Sequence, residues 1–263
     1  MLKPEKLPDL ASRSASALAM IFLGFWGIWI GGFVFQILVS IVCGVMIWEL
    51  VVMLVPSKKS LALQLGSVTG ASLLLSLYFP NEFILPLLTA SFLVGISQLS
   101  RNRIIYLLFS IMIVISGFAI LFLRNDFGLI WVVWLVTVVV MTDISGYFAG
   151  RLIGGPKFWP QVSPKKTWSG TIAGWLGAGF VGALFMVNLD FGPKIIGISV
   201  AVSMASQLGD IAESALKRKM LVKDSSNLIP GHGGVLDRFD GMLGASIFLF
   251  TLWLKYGAAG DFF

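Results

Sequence analysis

Nine stretches of this chain carry almost no charge, and each approaches the length needed to cross a hydrocarbon layer. They span 16–31, 33–55, 60–79, 83–99, 104–123, 127–148, 168–187, 195–212 and 242–256. A transmembrane helix needs roughly 20 apolar residues, so 263 residues leave no room for a large soluble domain. Only 12% of the residues are charged and 57% are hydrophobic, whereas a soluble domain is nearer one quarter charged. This balance excludes an ordinary globular enzyme, a disordered chain and a disulfide scaffold. The expected fold class is therefore all-α: a polytopic membrane protein of about nine transmembrane helices, read as a single integral-membrane domain over 1–263. The first two runs are separated only by Gly31 and Gly32, so that boundary is soft. No internal repeat is evident, which counts against inverted-repeat transporter architectures.

The basic residues sort by side. With residues 1–15 as a cytoplasmic tail and alternating crossings, one side receives Lys3, Lys6, Arg13, Lys58, Lys59, Arg101, Arg103, Arg151, Lys157, Lys165, Lys166, Lys217, Arg218, Lys219, Lys223 and Arg238. The other receives Arg124, Lys194 and Lys255. Sixteen against three is a strong positive-inside asymmetry. It places the N-terminus inside and the chain in the inner (cytoplasmic) membrane as a multi-pass protein. The net charge of +6 would suggest nucleic acid in a soluble protein. Here it points instead to lipid headgroups and phosphates. Cys43 and His232 are the only residues of their kinds, which excludes an intrachain disulfide and multi-histidine metal sites.

The same topology gathers the acids. Asp143 and Asp210 fall near the inner ends of the sixth and eighth runs, and Asp237 and Asp240 immediately precede the ninth. A carboxylate in or near hydrocarbon costs several kcal/mol unless paired or hydrated, so four at one level suggest a shared polar cavity. Two long inner loops, about 151–167 and 213–241, are expected to carry the chemistry. Asp210, Glu213, Ser214 and Lys217 share one helix face by their spacing; the bland alternative is a solvated helix end with Asp210–Ser214 and Glu213–Lys217 contacts. The glycines of 231–241 would let backbone N–H groups approach a phosphate. Asp237 and Asp240 offer hard oxygen ligands suited to Mg²⁺, or simply a favourable helix N-terminus. Lys165, Lys166 and Thr167 form an anion site or a membrane-interface anchor. Gly146 and Gly150 would allow a helix to pack closely beside Asp143. Glu49 reads as a lone snorkelling acid without an assigned role.

The segment Ser214–Asp240, SALKRKMLVKDSSNLIPGHGGVLDRFD, resembles the signature of the integral-membrane phosphatidate cytidylyltransferases, or CDP-diacylglycerol synthases. The flanking GDIAES at 209–214, SPKKTW at 163–168 and DISGYFAGR at 143–151 are similar to that family too, so the likeness covers nearly the whole chain. One departure is Ser169, where the family commonly has Glu. The resemblance implies transfer of CMP from CTP to phosphatidate, with Mg²⁺ and a second ion such as K⁺ as cofactors, and a homodimer. Carried onto this chain, it makes Asp210 and Asp237 the foremost metal ligands, with Asp240, Glu213 and Asp143 as second choices. Lys217, Arg218, Lys223 and Arg238 would neutralise phosphates. Lys165, Lys166 and Thr167 would grip the triphosphate or the lipid phosphate, and Ser214, Asp224 and His232 would be polar contacts to substrate.

Two other readings compete. Asp237-x-x-Asp240-Gly241 mimics the start of a CDP-alcohol phosphotransferase motif, but Gly244 and Ala245 stand where Ala-Arg should follow, and Leu254, Ala258 and Phe262 replace its later Gly, Asp and Asp. An ion-driven transporter would also explain buried acids, though these cluster at one face rather than at the midplane.

Overall fold

The computed structural model describes residues 7–189 and 191–256, with side chains from Arg13 onward. Nine α-helices account for most of them: α1 (Leu7–Ile30), α2 (Gly32–Leu54), α3 (Lys59–Leu75), α4 (Asn81–Gln98), α5 (Arg103–Phe122), α6 (Leu129–Leu152), α7 (Trp168–Leu189), α8 (Lys194–Lys219) and α9 (Leu236–Tyr256). Each overlaps one apolar run of the sequence. Six of them, α1, α2, α5, α6, α7 and α8, are long and apolar enough to cross a membrane. The chain is thus an all-α, multi-pass membrane protein.

Two expectations about loops are corrected. The stretch 151–167 holds a small antiparallel hairpin, β1 (Lys157–Trp159) with β2 (Ser163–Thr167). The second loop is shorter than expected, because α8 continues to Lys219 and α9 begins at Leu236. Apolar content marks where a helix sits in lipid, but helical hydrogen bonding continues past the lipid wherever the residues have adequate propensity. The segment AESALKRK does.

The described residues divide into two compact units. The first runs to Leu121 and also takes in Met220–Phe239. Its centre is the α2–α3 pair, which is held together by absent side chains. A Cβ on Gly44 would lie 2.7 Å from the Gly66 carbonyl oxygen, and one on Gly66 would lie 2.6 Å from that of Gly44. Small residues of this kind are what allow helix backbones to touch in lipid, where hydrophobicity itself drives no association. Ile47, Leu50, Val51, Leu65 and Leu73 are fully buried around this contact. By contrast, α1 leaves Phe22, Phe25, Trp26 and Trp29 exposed, as suits a lipid-facing helix.

The second unit is Phe122–Lys219 together with the chain from Asp240 onward. It is cross-linked by polar bonds between helices. Trp134 Nε1 donates to Ser199 Oγ at 3.0 Å, Thr142 Oγ1 to Ser203 Oγ at 2.8 Å, and Trp175 Nε1 to Gln207 Oε1 at 2.9 Å. Bonds of this kind have few competitors in a lipid setting. They fix the rotation of α6, α7 and α8 about their axes, and with it the direction of the acids on α6 and α8.

Candidate active site

In the second unit the sequence-predicted acids of three helices come together. Asp240 lies within electrostatic reach of Asp210, Asp143 and Lys217. Glycines make this possible. A Cβ on Gly209 would sit 2.3 Å from the Asp240 carbonyl oxygen, and one on Gly244 would sit 2.0 Å from that of Ala205, so α8 and α9 touch backbone to backbone beside Asp210 and Asp240. The glycine face expected next to Asp143 is used in the same way: a Cβ on Gly170 would lie 2.6 Å from the Gly146 carbonyl oxygen, which brings α7 against α6.

The cations answer this negative charge. Lys166 Nζ pairs with Asp210 Oδ2 at 2.5 Å. Residues alternate sides along a strand, so in β2 Lys166 turns towards Asp210 while its neighbour Lys165 is exposed. Thr167 is buried and caps α7, its Oγ1 accepting the Gly170 N–H at 3.2 Å. Ser169, the departure from the family pattern, donates to the Gly154 carbonyl at 2.5 Å and shares a 3.0 Å bond with Thr167. Both contacts of the bland reading are present on α8: Ser214 Oγ donates to Asp210 Oδ1 at 3.2 Å, and the fully buried Glu213 is ion-paired with Lys217. Asp210 is therefore served by its own helix and by the hairpin together. Arg218 is exposed. Among the described residues, no group of three or more His, Cys, Asp or Glu side chains is arranged to hold a metal ion.

In the first unit the glycine-rich loop folds around two carboxylates. Asp237, in the first turn of α9, accepts at Oδ2 from Ser225 N (2.8 Å), Ser225 Oγ (2.9 Å) and Gly234 N (2.8 Å). Glu49, in the last two turns of the apolar α2, accepts from Ser226 Oγ (2.6 Å), Leu236 N (2.7 Å), Val235 N (2.9 Å) and Ser225 Oγ (3.3 Å). Ser225 has one hydroxyl hydrogen, and the nearer acceptor is Asp237. A Cβ on Gly234 would fall 2.0 Å from Ser225 Oγ and 2.4 Å from Glu49 Oε1, so only glycine fits there. Gly231 and Gly233 turn the chain with φ of 74° and 84°.

This arrangement changes one expectation. The amides of Ser225, Gly234, Val235 and Leu236 already bond to the protein's own carboxylates. The N–H groups of Leu228, Ile229 and His232 are taken up within the loop itself. Phosphate at this loop would thus be met by side chains more than by a nest of free amides. Lys223 and Asp224 are exposed there. Arg238 Nη2 donates to the His232 carbonyl at 2.8 Å, and the His232 ring meets Ser16 Oγ of α1 at 2.9 Å through Nδ1. Nothing in the loop sequence announces that tie to α1.

Glu49 is the residue that sequence reasoning passed over. It does not snorkel, being wholly buried. The signal was available, since it is the only charged residue between Arg13 and Lys58, and an acid inside a membrane helix is functional by default. Its partners lie some 180 positions away in the chain, and no local pattern reveals them.

Comparison with known proteins follows the same lines. A model of the cytidylyltransferase family matches residues 11–255. A protein of Brucella abortus biovar 1 (strain 9-941) named phosphatidate cytidylyltransferase is 46% identical over 140 residues, which is 51% of this chain and 52% of that one. Proteins of the same name from Staphylococcus saprophyticus and Rickettsia bellii are 39% and 38% identical, over 57% and 59% of this chain and 61% and 72% of theirs. The alignment with the Brucella protein thus spans about half of that protein's length.

Proposed function

The chain belongs to the cytidylyltransferase family, and from that premise we propose that it transfers CMP from CTP to phosphatidate, yielding CDP-diacylglycerol and pyrophosphate. The observation that carries the reading is the family match over residues 11–255; the names of the relatives supply the lipid acceptor. The positive-inside asymmetry of the basic residues supports a reaction at the cytoplasmic face of the inner membrane.

The chemistry asks for positioning and charge neutralisation. A phosphate oxygen of phosphatidate attacks the α-phosphorus of CTP in line. The bond from that phosphorus to the bridging oxygen of the β-phosphate breaks, and pyrophosphate leaves with the electron pair. Lys166 and Lys217, now held by Asp210 and Glu213, are set to exchange those carboxylates for phosphate oxygens. Lys165, Arg218, Lys223 and Arg238 supply further positive charge, with Thr167, Ser214, Asp224 and His232 as polar contacts.

Mg²⁺, with a second ion such as K⁺, belongs to the proposal. The donors fit: Asp143, Asp210 and Asp240 are hard oxygen groups, and Asp240 feels the negative charge of both others, a repulsion that a cation would relieve. Mg²⁺ often takes only one or two carboxylates and fills its shell with water and substrate phosphates, so a closed protein cage is not required. Asp210 would be the principal ligand in the second unit, with Asp143, Glu213 and Asp240 supporting it; Asp237 is a separate candidate ligand in the first unit. Bound there, the ion would offset triphosphate charge and stabilise the departing pyrophosphate.

The test supplies labelled CTP and phosphatidate to the purified protein in lipid nanodiscs. CDP-diacylglycerol should form with one pyrophosphate released per turnover. CMP release from CDP-diacylglycerol and an alcohol, without use of CTP, would replace this reading with the phosphotransferase one. Asp210→Asn should lose about 100-fold or more in turnover while still inserting, and full activity in that variant would remove Asp210 from the mechanism. Dimerisation is read from particle mass in the same nanodiscs.

A further inference from the structure

We propose that Glu49 is a positioning residue for this reaction: one buried carboxylate that staples both ends of the 225–236 loop and so sets the backbone carrying Lys223, His232, Asp237 and Arg238. The inference rests on the function proposed above.

Three observations carry it. The first is cost. Glu49 is wholly buried in a helix of mean hydropathy 2.6, where an apolar residue would pack at no electrostatic expense, whereas a carboxylate is tolerated only when its oxygens are satisfied. The second is the placing of its partners. Ser225 and Ser226 open the loop, and Val235 and Leu236 close it at the start of α9. The two amides are among the N–H groups that a helix start leaves without an intrahelical acceptor, and negative charge there is favourable. Between these two anchors the chain makes its turns at Gly231 and Gly233 and one isolated bridge from Ile229 to Gly233, so the loop has little regular structure of its own. The third is chemistry. Both oxygens of Glu49 accept, Oε1 from Val235 N and Ser226 Oγ, Oε2 from Leu236 N. A carboxamide has the same shape but one accepting oxygen, and its NH₂ would face an N–H or a hydroxyl.

Asp237 completes the frame from the other side by holding Ser225 N and Gly234 N. Three consecutive amides, of Gly234, Val235 and Leu236, are thereby fixed by two acids from elements far apart in sequence. An anionic frame behind the loop leaves its cationic side chains as the groups that face substrate.

The experiment compares wild-type protein with Glu49→Gln in nanodiscs, using CTP and phosphatidate, and follows amide hydrogen exchange in parallel. Turnover per folded molecule should fall about tenfold or more, since the carboxamide keeps one accepting oxygen and the amide that meets its NH₂, of Val235 or of Leu236, loses its acceptor, while KM for CTP shifts by less than about threefold, as for an interaction expressed in the transition state. Exchange should rise at Val235 or Leu236, whichever amide meets the carboxamide NH₂, and stay unchanged at the Leu50 and Leu65 amides of α2 and α3. A merely structural glutamate would instead raise exchange throughout α2 and α3 and leave turnover per folded molecule intact, which would overturn the proposal. So would wild-type turnover in Glu49→Gln, whether or not exchange rises locally. Should Glu49→Gln fail to accumulate, Ser226→Ala, which removes one donor, should lower turnover several-fold and raise exchange at Leu228, and no change in either would overturn the role. A wild-type protein inactive on CTP and phosphatidate removes the proposed function and this role with it; an active wild type with an indifferent Glu49→Gln removes this role alone.

Discussion

Two adjacent lysines show how much a single residue's place in an element matters. Lys165 and Lys166 are equivalent as sequence, but strand alternation turns only Lys166 onto Asp210. Lys166→Ala should therefore reduce kcat/KM for CTP by about tenfold or more, against less than about threefold for Lys165→Ala; steady-state kinetics on both variants decides. Gly234 is a second such position. Its Cβ would overlap Ser225 Oγ and Glu49 Oε1, so Gly234→Ala must displace the loop or its carboxylate. A loss of about 1–3 kcal/mol is expected, read from denaturant unfolding in detergent, and an unchanged midpoint would mean that the loop yields freely.

At the scale of elements, glycine-to-carbonyl contacts recur wherever an acid has to be delivered. The α6–α7 contact at Gly146 and Gly170 lies one turn from Asp143, and the α8–α9 contact at Gly209 and Gly244 flanks Asp210 and Asp240. Larger residues would push the helices apart and carry the carboxylates with them. Gly209→Val should thus abolish activity more completely than it destabilises the fold. The measurement is residual turnover at a temperature where circular dichroism still reports full helicity, and an active Gly209→Val enzyme would show that α8 and α9 can separate without harm. Gly24 and Gly197 have open space at the same test, so Gly24→Ala and Gly197→Ala should be silent in both assays.

For the whole molecule, the decisive quantity is the distribution of charge across the bilayer. Sixteen basic residues against three imply that Lys59 and Lys194 face opposite compartments. Cys43 is the only cysteine and is buried, so Cys43→Ser provides a background without a competing thiol. On it, Lys59→Cys should react with a membrane-impermeant maleimide only from the cytoplasmic side, and Lys194→Cys only from the other. The reverse pattern, or labelling of both from one side, would dismantle the topology on which the site's location depends.

Helix positions followed from sequence because apolarity over about 20 residues is a local property with one physical outcome in lipid, and each of the nine runs became a helix. The acids of the second unit were also legible, since spacing along α8, the C-terminal half of α6 and the start of α9 fix where carboxylates emerge. The hairpin at 157–167 was hidden because Lys, Trp, Ser and Thr there show no alternation of polarity. The clamp of Glu49 on the 225–236 loop was hidden for a deeper reason. A hydrogen bond has no sequence signature when its two ends stand some 180 residues apart, and chain folding alone brings a lone acid in an apolar helix to the amides that need it.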